Sequence, residues 1–327
     1  MRSFDYQRAD SVTEAIQAHV GQPSSFIAGG TTLLDLVKLD VMRPTRVVDI
    51  HRLPLTAVEQ LDDGRLKIGA MVTNADLAYH PLVKTHYPVL SEALLAGAST
   101  SLRNKATTGG NVMQRVRCPY FRDGISACNK RDPGSGCAAI NGVNRSVHAV
   151  LGTSEHCIAT HPSDMCVAMA AIGATIVVTG PDGVTRDIDF LDFHLLPGST
   201  PHKEHALAAD ELITHVVLDP SLAGSRSYYL KLRDRSSYQF ALASSAVIVV
   251  TSGGSIQSAR IALGGVGSKP WRALAAEQSL VGKPPNQSNF EQAARLAFEG
   301  AIPQSQNAFK IPLGQQAIVR SLQVVTA

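Results

Sequence analysis

The chain has 327 residues and a mass of 34.7 kDa, which is enough for about two domains with a sizeable buried core. Its composition, with 44% hydrophobic, 17% charged and 5% aromatic residues, excludes a disordered chain, a coiled coil and an aromatic platform for single-stranded nucleic acid. The net charge of +3 is too small to predict a nucleic-acid partner, and five cysteines, an odd number, do not indicate a disulfide framework.

The first fifty residues predict a small α/β unit. Ser11 and Glu14 form a capping-box pattern at the start of its first helix. A pair of glycines, Gly29 and Gly30, lies where the second strand meets the second helix. The expected strands lie at 4–7, 25–28 and 46–50, and the expected helices lie at 11–19 and 32–39.

The middle of the chain predicts mixed elements around a long loop. From residue 115 to about residue 142 the apolar residues follow neither the period of a helix nor that of a strand. This stretch is rich in Pro, Gly, Asn and Arg. Long irregular loops inside compact domains are uncommon and are usually functional or disordered, and three cysteines in this loop favour function. The expected helices here are 74–78, 88–96 and 163–172, and the expected strands are 65–68, 175–178 and 185–188.

The C-terminal third predicts a separate α+β unit. A Pro- and Gly-containing stretch at 220–224 is the candidate domain boundary. The fold class is therefore α+β, with a two-part region over residues 1–222 followed by a three-stranded antiparallel sheet with helices over residues 223–327. The expected strands are 227–233, 243–251 and 259–263, and the expected helices are 272–280, 290–298 and 315–324.

Two glycine turns are candidate phosphate sites. FIAGGTTLL (Phe26–Leu34) and TTGGN (Thr107–Asn111) each place two glycines beside threonines. Glycine allows close backbone approach, and free N–H groups and hydroxyls at such a turn attract anions. Each turn alone is also compatible with an ordinary tight turn. Together they could clamp the two phosphates of one pyrophosphate.

A dinucleotide-binding Rossmann unit is an alternative interpretation. Asp49 ends the next strand about twenty residues after the glycines, where a ribose-binding acid would lie. However, the spacing is not G-x-G-x-x-G, and Leu33 occupies the position of the third glycine. This alternative would make the protein an NAD(P)-dependent dehydrogenase.

Four cysteines are candidate metal ligands. Cys118, Cys128, Cys137 and Cys157 have the spacing C-x9-C-x8-C-x19-C, without the C-x2-C pair that is usual in structural zinc sites. Thiolates bind iron–sulfur clusters, zinc and copper(I), so a cluster, a zinc ion or unliganded structural cysteines all remain open. Cys166 lies in an apolar helical pattern and is expected to be a small core residue.

Several stretches together resemble the FAD-binding medium subunits of the molybdenum hydroxylase (xanthine dehydrogenase) family. They are FIAGGTTLLDL, the TTGGN turn, HPSDMCVA, DELI at 210–213 and YLKLRDR around Lys231. The resemblance covers essentially the whole chain. It implies an FAD-binding domain of the PCMH type at 1–222, with an iron–sulfur loop at 115–157, and a CO dehydrogenase flavoprotein-like domain at 223–327. The cysteine loop is similar to that of family members whose flavin subunit carries an extra [4Fe-4S] cluster, as in periplasmic aldehyde oxidoreductases and 4-hydroxybenzoyl-CoA reductases.

The resemblance also implies roles for individual residues. Asp164 would accept hydrogen bonds from ribityl or ribose hydroxyls, the backbone of Ile213 would meet the flavin ring, and Lys231 would lie near its polar edge. If the resemblance is set aside, Asp164 is interpreted as an acidic residue at a helix N-terminus and Lys231 as a solvated lysine on a strand. The implied FAD-binding residues are Phe26, Ile27, Ala28, Gly29, Gly30, Thr31, Thr32, Leu33, Leu34, Thr108, Gly110, Asn111, Asp164, Ile213 and Lys231. The implied cluster ligands are Cys118, Cys128, Cys137 and Cys157.

The function implied is that of an oxidoreductase subunit. In this reading FAD and the [4Fe-4S] cluster pass electrons to an external acceptor, and no residue of this chain touches the aldehyde. A large subunit would hold the molybdenum cofactor and a small subunit two [2Fe-2S] clusters. Xanthine dehydrogenase-type and 4-hydroxybenzoyl-CoA reductase-type flavin subunits, and a non-redox zinc protein, are the alternatives.

Two expectations concern location. The start MRSFDYQRAD has no apolar run after its basic residue, so we expect no secretory signal in this sequence. The resemblance therefore implies export to the periplasm with a signal-bearing partner, and the cytoplasm is the alternative. The longest apolar stretch, 165–179, is interrupted by Gly173 and is shorter than the roughly 18 to 20 residues of a membrane span, so none is expected.

Overall fold

The computed structural model describes residues 1–21 and 23–327. Twelve strands and thirteen helices lie in these residues. The strands are β1 (Asp5–Arg8), β2 (Ser24–Ile27), β3 (Arg46–Asp49), β4 (Val58–Gln60), β5 (Leu66–Gly69), β6 (Ala174–Thr179), β7 (Thr185–Asp189), β8 (Leu212–Leu218), β9 (Arg226–Leu232), β10 (Ala243–Ser252), β11 (Ser255–Gly264) and β12 (Trp271–Arg272). The helices are α1 (Val12–His19), α2 (Leu33–Lys38), α3 (Asn74–Tyr79), α4 (Pro81–His86), α5 (Pro88–Ala96), α6 (Thr100–Arg103), α7 (Thr108–Val112), α8 (Pro119–Arg122), α9 (Asp164–Ile172), α10 (Phe190–Phe193), α11 (Leu274–Leu280), α12 (Gln287–Ala297) and α13 (Lys310–Thr326).

The N-terminal unit is a three-stranded parallel sheet with the order β1-β3-β2. The Ser11 side chain accepts a hydrogen bond from the backbone of Glu14 at 3.1 Å and caps α1, as the capping-box pattern predicts. Because parallel strands place their carboxyl ends at one edge of a sheet, β2 delivers Gly29 and Gly30 to the edge at which α2 begins.

A five-stranded sheet forms the second part of the N-terminal region, in the order β4-β5-β8-β6-β7 with antiparallel pairing throughout. Its central strand, β8, was not expected from the sequence. Six of its seven residues are buried, so it shows no alternation of polar and apolar side chains. A strand covered on both faces gives only a short apolar run, and periodicity cannot identify it.

The C-terminal unit confirms the α+β prediction. The three predicted strands pair antiparallel as β9, β10 and β11, and helices α11, α12 and α13 pack with them in one hydrophobic cluster. A fourth strand, the two-residue β12, pairs with Ala262 and Leu263 at the edge. Because Arg272 belongs to that strand, the helix expected from residue 272 begins at Leu274 instead.

Helix α9 joins the two halves of the molecule. All nine of its residues are buried, and it contacts α5, β10, β11 and β12. A helix that is apolar on every side must be covered on every side. This explains why the sequence of α9 shows no amphipathic pattern. Within the described residues, no helix combines the length and the apolar character needed to cross a bilayer.

The cysteine loop is largely irregular, as predicted, and the C-terminal unit holds it in place. Backbone bonds between Asn129 N and Gly136 O at 2.7 Å, and between Ala138 N and Ala127 O at 3.0 Å, form a short hairpin. Further along, the buried side chain of Asn307 donates to the carbonyl of Ala149 at 3.2 Å. The loop is therefore attached to residues that lie more than 150 positions away in the sequence.

Lys310 should give the stability of the protein a distinctive pH dependence. Its Nζ is buried and donates to the carbonyls of Ser146 at 2.6 Å and Gly265 at 2.5 Å, and burial lowers its pKa to about 7. In the unfolded chain this pKa is about 10.4, so between these two values the unfolded state binds more protons than the folded state. The free energy of unfolding therefore rises with pH by up to about 1.4 kcal/mol per unit in this window, and the lysine adds no slope below about pH 7.

Urea unfolding at several pH values checks this prediction, with Lys310→Met as the comparison. The difference in unfolding free energy between the parent and the variant should change with pH between about 7 and 10 and be constant below 7. If the unfolding free energies of the parent and the variant instead change by the same amount with pH across that range, the prediction is contradicted.

Candidate functional site

The first glycine turn packs against the segment that leads into the second. A Cβ atom on Gly29 would lie 1.7 Å from the carbonyl oxygen of Lys105, two residues before the second turn. Gly30 has a φ of +72°, a conformation that side chains with a Cβ rarely adopt. Position 29 therefore requires glycine for the first turn to approach the segment before the second, and position 30 requires it for its backbone conformation.

The second turn is fixed by its own threonines. The hydroxyl of Thr107 accepts a hydrogen bond from Gly110 N at 3.2 Å and caps α7. The hydroxyl of Thr108 donates to the carbonyl of Val72 at 3.0 Å and is fully buried. Gly109 N bonds to Ala70 O at 2.9 Å, so the turn is anchored to the segment that follows β5.

Two cavities meet at these turns. The first has a volume of about 850 Å³ and the second of about 600 Å³. Both are within the usual size range of small-molecule and cofactor sites. Thr31, Thr32, Gly110 and Gln114 line both cavities. The arrangement can hold an elongated ligand with its middle at the glycine turns and one end in each cavity.

Most of the predicted FAD-binding residues line these cavities. Phe26, Ala28, Gly29, Gly30, Thr31, Thr32, Leu33, Gly110 and Ile213 line the first. Thr31, Thr32, Gly110, Asn111, Asp164 and Lys231 line the second. Ile27, Leu34 and Thr108 lie outside both linings, and the hydroxyl of Thr108 is already used by Val72. Their direct contact with FAD stays a prediction.

Asp164 and Lys231 form a buried ion pair in the wall of the second cavity. Lys231 Nζ lies 2.8 Å from Asp164 Oδ2, and their side chains are only 3% and 9% exposed. The hydroxyl of Tyr229 donates to Asp164 Oδ1 at 2.6 Å, and Lys231 also donates to the carbonyl of Ala96 at 3.1 Å. Lys231 is therefore not a solvated surface lysine.

Replacing Lys231 with methionine should destabilise the protein strongly. The substitution leaves the Asp164 carboxylate buried without its counter-charge, which typically costs about 3–5 kcal/mol. Urea unfolding of the single variant and of the Lys231→Met/Asp164→Asn double variant measures the effect. The double variant should be the more stable of the two, since it removes the orphaned charge. A single variant within about 1 kcal/mol of the parent would contradict the prediction.

The first cavity is lined by five histidines, none of which the sequence predicts as a ligand. They are far apart in the sequence and form no motif, so only the fold reveals them. Burial lowers the pKa of His194 to about 4 and also lowers that of His161, so both rings are neutral at physiological pH. The five are His19, His161, His194, His202 and His205.

Two of these histidines and Cys166 form a compact trio. One ring nitrogen of each histidine and the Cys166 sulfur lie within 4.8 Å of one another. His161 Nδ1 accepts from Ser163 N at 3.4 Å, and His194 Nε2 faces the carbonyl of Val112 at 3.1 Å. These contacts place a proton on His161 Nε2 and leave His194 Nδ1 bare, and neither of these two atoms has a hydrogen-bond partner among residues 1–21 and 23–327. We assign no metal to this trio.

The four predicted ligand cysteines converge on one small cavity of about 10 Å³, roughly the room for one water molecule. The hairpin explains part of this convergence, because it places Cys128 directly opposite Cys137. All four thiols are free. Cys166 instead lies in the main hydrophobic core, which confirms its predicted role as a small core residue. The loop thus brings together residues separated by up to 39 positions.

The electrostatics of this cavity suit a bound cation or cluster. Burial raises the pKa of Cys118 to about 12 and that of Cys157 to about 11, and neighbouring thiols add to both shifts. The positive charge of Lys130 acts on Cys157 in the opposite direction and favours the thiolate. Without a metal, the thiols of Cys118 and Cys157 are therefore protonated, and metal ligation is what would stabilise their charged form.

The four thiols are spaced more widely than the ligands around a single zinc ion. A single zinc ion with Zn–S bonds of about 2.3 Å brings its sulfurs to about 3.8 Å from one another. In the described part of the chain, metal-ligating atoms within 4.8 Å of one another occur in a group of three at the histidine trio and not among these cysteines. As the loop is placed here, no three of these four thiols stand close enough together to ligate one zinc ion.

Asp49, the candidate ribose-binding acid of a Rossmann unit, is engaged elsewhere. Its carboxylate accepts hydrogen bonds from the Tyr6 hydroxyl and from His51 N and lies 3.5 Å from Arg8 Nε. These contacts hold the pKa of Asp49 below its usual value even though burial opposes the shift. The residue stabilises the N-terminal sheet.

Comparisons with known proteins agree with this architecture. Residues 2–220 match the family described as FAD binding domain in molybdopterin dehydrogenase, and residues 227–323 match the CO dehydrogenase flavoprotein C-terminal domain. Over 324 residues the chain is 49% identical to the aldehyde oxidoreductase FAD-binding subunit PaoB of Escherichia coli (strain K12), covering 98% of each. It is 28% identical to the glyceraldehyde dehydrogenase medium chain of Sulfolobus acidocaldarius, covering 86% of this chain and 82% of the relative.

Solved structures show the same fold. Carbon monoxide dehydrogenase from Hydrogenophaga pseudoflava superposes with a TM-score of 0.78 at 26% identity, covering 99% of this chain and 98% of the other. Quinoline 2-oxidoreductase from Pseudomonas putida 86 gives a TM-score of 0.76 at 27% identity, covering 99% and 97%. The chain therefore belongs to the family of FAD-binding medium subunits of molybdenum hydroxylases, and the resemblance carried by the sequence motifs is confirmed.

Proposed function

We propose that this chain binds FAD and a [4Fe-4S] cluster and transfers electrons within a heterotrimeric, molybdenum-dependent aldehyde oxidoreductase. The meeting of the two glycine turns between two cavities carries this proposal. The identity to the Escherichia coli aldehyde oxidoreductase subunit supports the substrate class. The aldehyde itself would be oxidised on a partner subunit.

The junction of the cavities is suited to a pyrophosphate. The backbone N–H groups of Gly29 and Gly30 and the hydroxyls of Thr31 and Thr32 are the proposed donors there, and Gly110, whose N–H caps α7 through Thr107, allows close approach. When bound, FAD supplies a centre that exchanges electrons both in pairs and singly. With the pyrophosphate at the junction, the flavin and adenosine halves occupy different cavities. The resemblance implies that Ile213 and Lys231 both meet the flavin, but they line different cavities, so one of them would contact the adenosine half.

The cysteine cavity adjoins the first of these cavities. Val116 and Lys130 line both, so one layer of side chains separates them. Cys118, Cys128, Cys137 and Cys157 would hold the cluster, which supplies a one-electron centre. This proximity supports electron transfer between the cluster and FAD.

The proposed partners are a large subunit with the molybdenum cofactor and a small subunit with two [2Fe-2S] clusters, together with an external electron acceptor. We also propose that the assembly acts in the periplasm, after export of the folded chain with a signal-bearing partner. Cell fractionation with and without that partner tests the location. A chain that stays in the cytoplasm in both cases would contradict it.

The purified complex tests the proposed function. We expect the chain to show flavin absorption with a broad iron–sulfur shoulder and the complex to reduce an artificial acceptor with aldehydes. A colourless, zinc-containing chain would contradict the cofactor assignment. Oxidation of xanthine but not of aldehydes, or reduction of 4-hydroxybenzoyl-CoA, would replace the proposed substrate class with one of the two family alternatives.

A further inference from the structure

One buried histidine contacts a predicted cluster ligand directly. His148 Nε2 lies 3.3 Å from the sulfur of Cys118, and both residues are buried. His148 Nδ1 is also buried and has no hydrogen-bond partner among residues 1–21 and 23–327. The contact with Cys118 is therefore the one hydrogen bond found for this ring within those residues.

The backbone on both sides of His148 is held firmly. It forms an isolated bridge with Ala159, two residues after Cys157, and Ala149 N donates to Ile158 O at 2.7 Å. Asn307 Nδ2 donates to the His148 carbonyl at 3.3 Å. The ring is consequently fixed against the sulfur by the cysteine loop on one side and by the C-terminal unit on the other.

The direction of the hydrogen bond follows from the chemistry of a ligated cysteine. A sulfur bound to iron carries no proton and can only accept, so the shared proton lies on His148 Nε2. The bare nitrogen is then Nδ1. An unpartnered acceptor in a buried site is tolerated more readily than an unpartnered N–H group.

We propose that His148 donates a hydrogen bond to Cys118 Sγ and thereby raises the reduction potential of the cluster. This inference rests on the proposed [4Fe-4S] cluster. Reduction adds one electron and breaks no bond, so negative charge on the ligand sulfurs increases. A donor at a ligand sulfur stabilises the reduced form more than the oxidised form. His148 is thus a positioning and tuning residue that acts through Cys118.

Two substitutions at this position and one control test the proposal. His148→Leu removes the donor at similar size, whereas His148→Gln can place an amide N–H near the position of Nε2. His215→Gln is the control, because His215 lies on β8 and lines none of the three cavities. The full chain is purified anaerobically, its iron content is measured, and the midpoint potential is determined by a redox titration followed by electron paramagnetic resonance.

We expect His148→Leu to keep its iron and to be harder to reduce, by a factor of about ten in the reduction equilibrium, which corresponds to about 59 mV for one electron. His148→Gln should recover most of the shift, and His215→Gln should not differ from the parent. An unchanged midpoint in His148→Leu with normal iron content would overturn the proposal.

A second measurement covers the case in which His148→Leu loses its iron. In the unsubstituted chain labelled with ¹⁵N-histidine, the reduced cluster should show a weak nitrogen hyperfine coupling transmitted through the N–H···S contact. Absence of that coupling would overturn the role of His148. Absence of iron from the unsubstituted chain would instead overturn the proposed cluster itself, so the two failures are distinguishable.

Discussion

Replacing Gly29 with alanine is expected to remove most of the bound FAD and to weaken the fold. The new Cβ would lie 1.7 Å from the Lys105 carbonyl oxygen and 2.6 Å from its carbonyl carbon. Backbone atoms cannot move aside as the end of a flexible side chain can, so the two glycine turns must separate. Overpacking of this kind costs about 1–3 kcal/mol or more.

The measurement is the FAD content of the purified chain, from its absorption spectrum, together with its unfolding free energy in urea. Gly180→Ala is the matched control, because this glycine lies in the hairpin turn between β6 and β7, and the nearest atom to its added Cβ is a side-chain oxygen of Asp182 at 3.2 Å. The control should bind FAD normally. Full FAD content in Gly29→Ala would show that the contact between the turns is not needed for binding.

The sequence could predict the glycine turns but not their contact. Gly29 and Lys105 are 76 positions apart, and local propensities carry no information about such pairs. The same limit applies to Asp164 and Lys231, which the sequence presented as two separate candidates and the fold joins as one ion pair. The sequence did predict the residue types that a local conformation requires, such as the glycines of the two turns.

Two of the strands that sequence reasoning missed, β8 and β12, have a common physical cause. Strand β8 is buried on both faces, and β12 has only two residues, so neither has a measurable period. The histidines of the first cavity lie on unconnected segments between His19 and His205 and have no common spacing. By contrast, the cysteine loop was recognisable because irregular sequence and repeated thiols are both local properties.

Changing Cys128 to serine is expected to abolish iron binding while most FAD is retained. Serine supplies a hydroxyl in place of the soft thiolate that iron–sulfur clusters require, and Cys128 is one of four thiols around one small cavity. Because this cavity is separate from the two that meet at the glycine turns, FAD binding should persist. Iron analysis and the flavin-to-protein ratio of the same sample give the answer.

Cys166→Ala is the matched control for this prediction. It also removes one buried thiol, but from the hydrophobic core and not from the cysteine cavity, so iron content should be unchanged. Unaltered iron in Cys128→Ser, or loss of iron in Cys166→Ala, would refute the ligand assignment. Loss of zinc from a colourless Cys128→Ser chain would retain the four cysteines as ligands but change the metal. In that case electron transfer through this loop would have to be abandoned, and FAD would remain the sole redox group proposed for the chain.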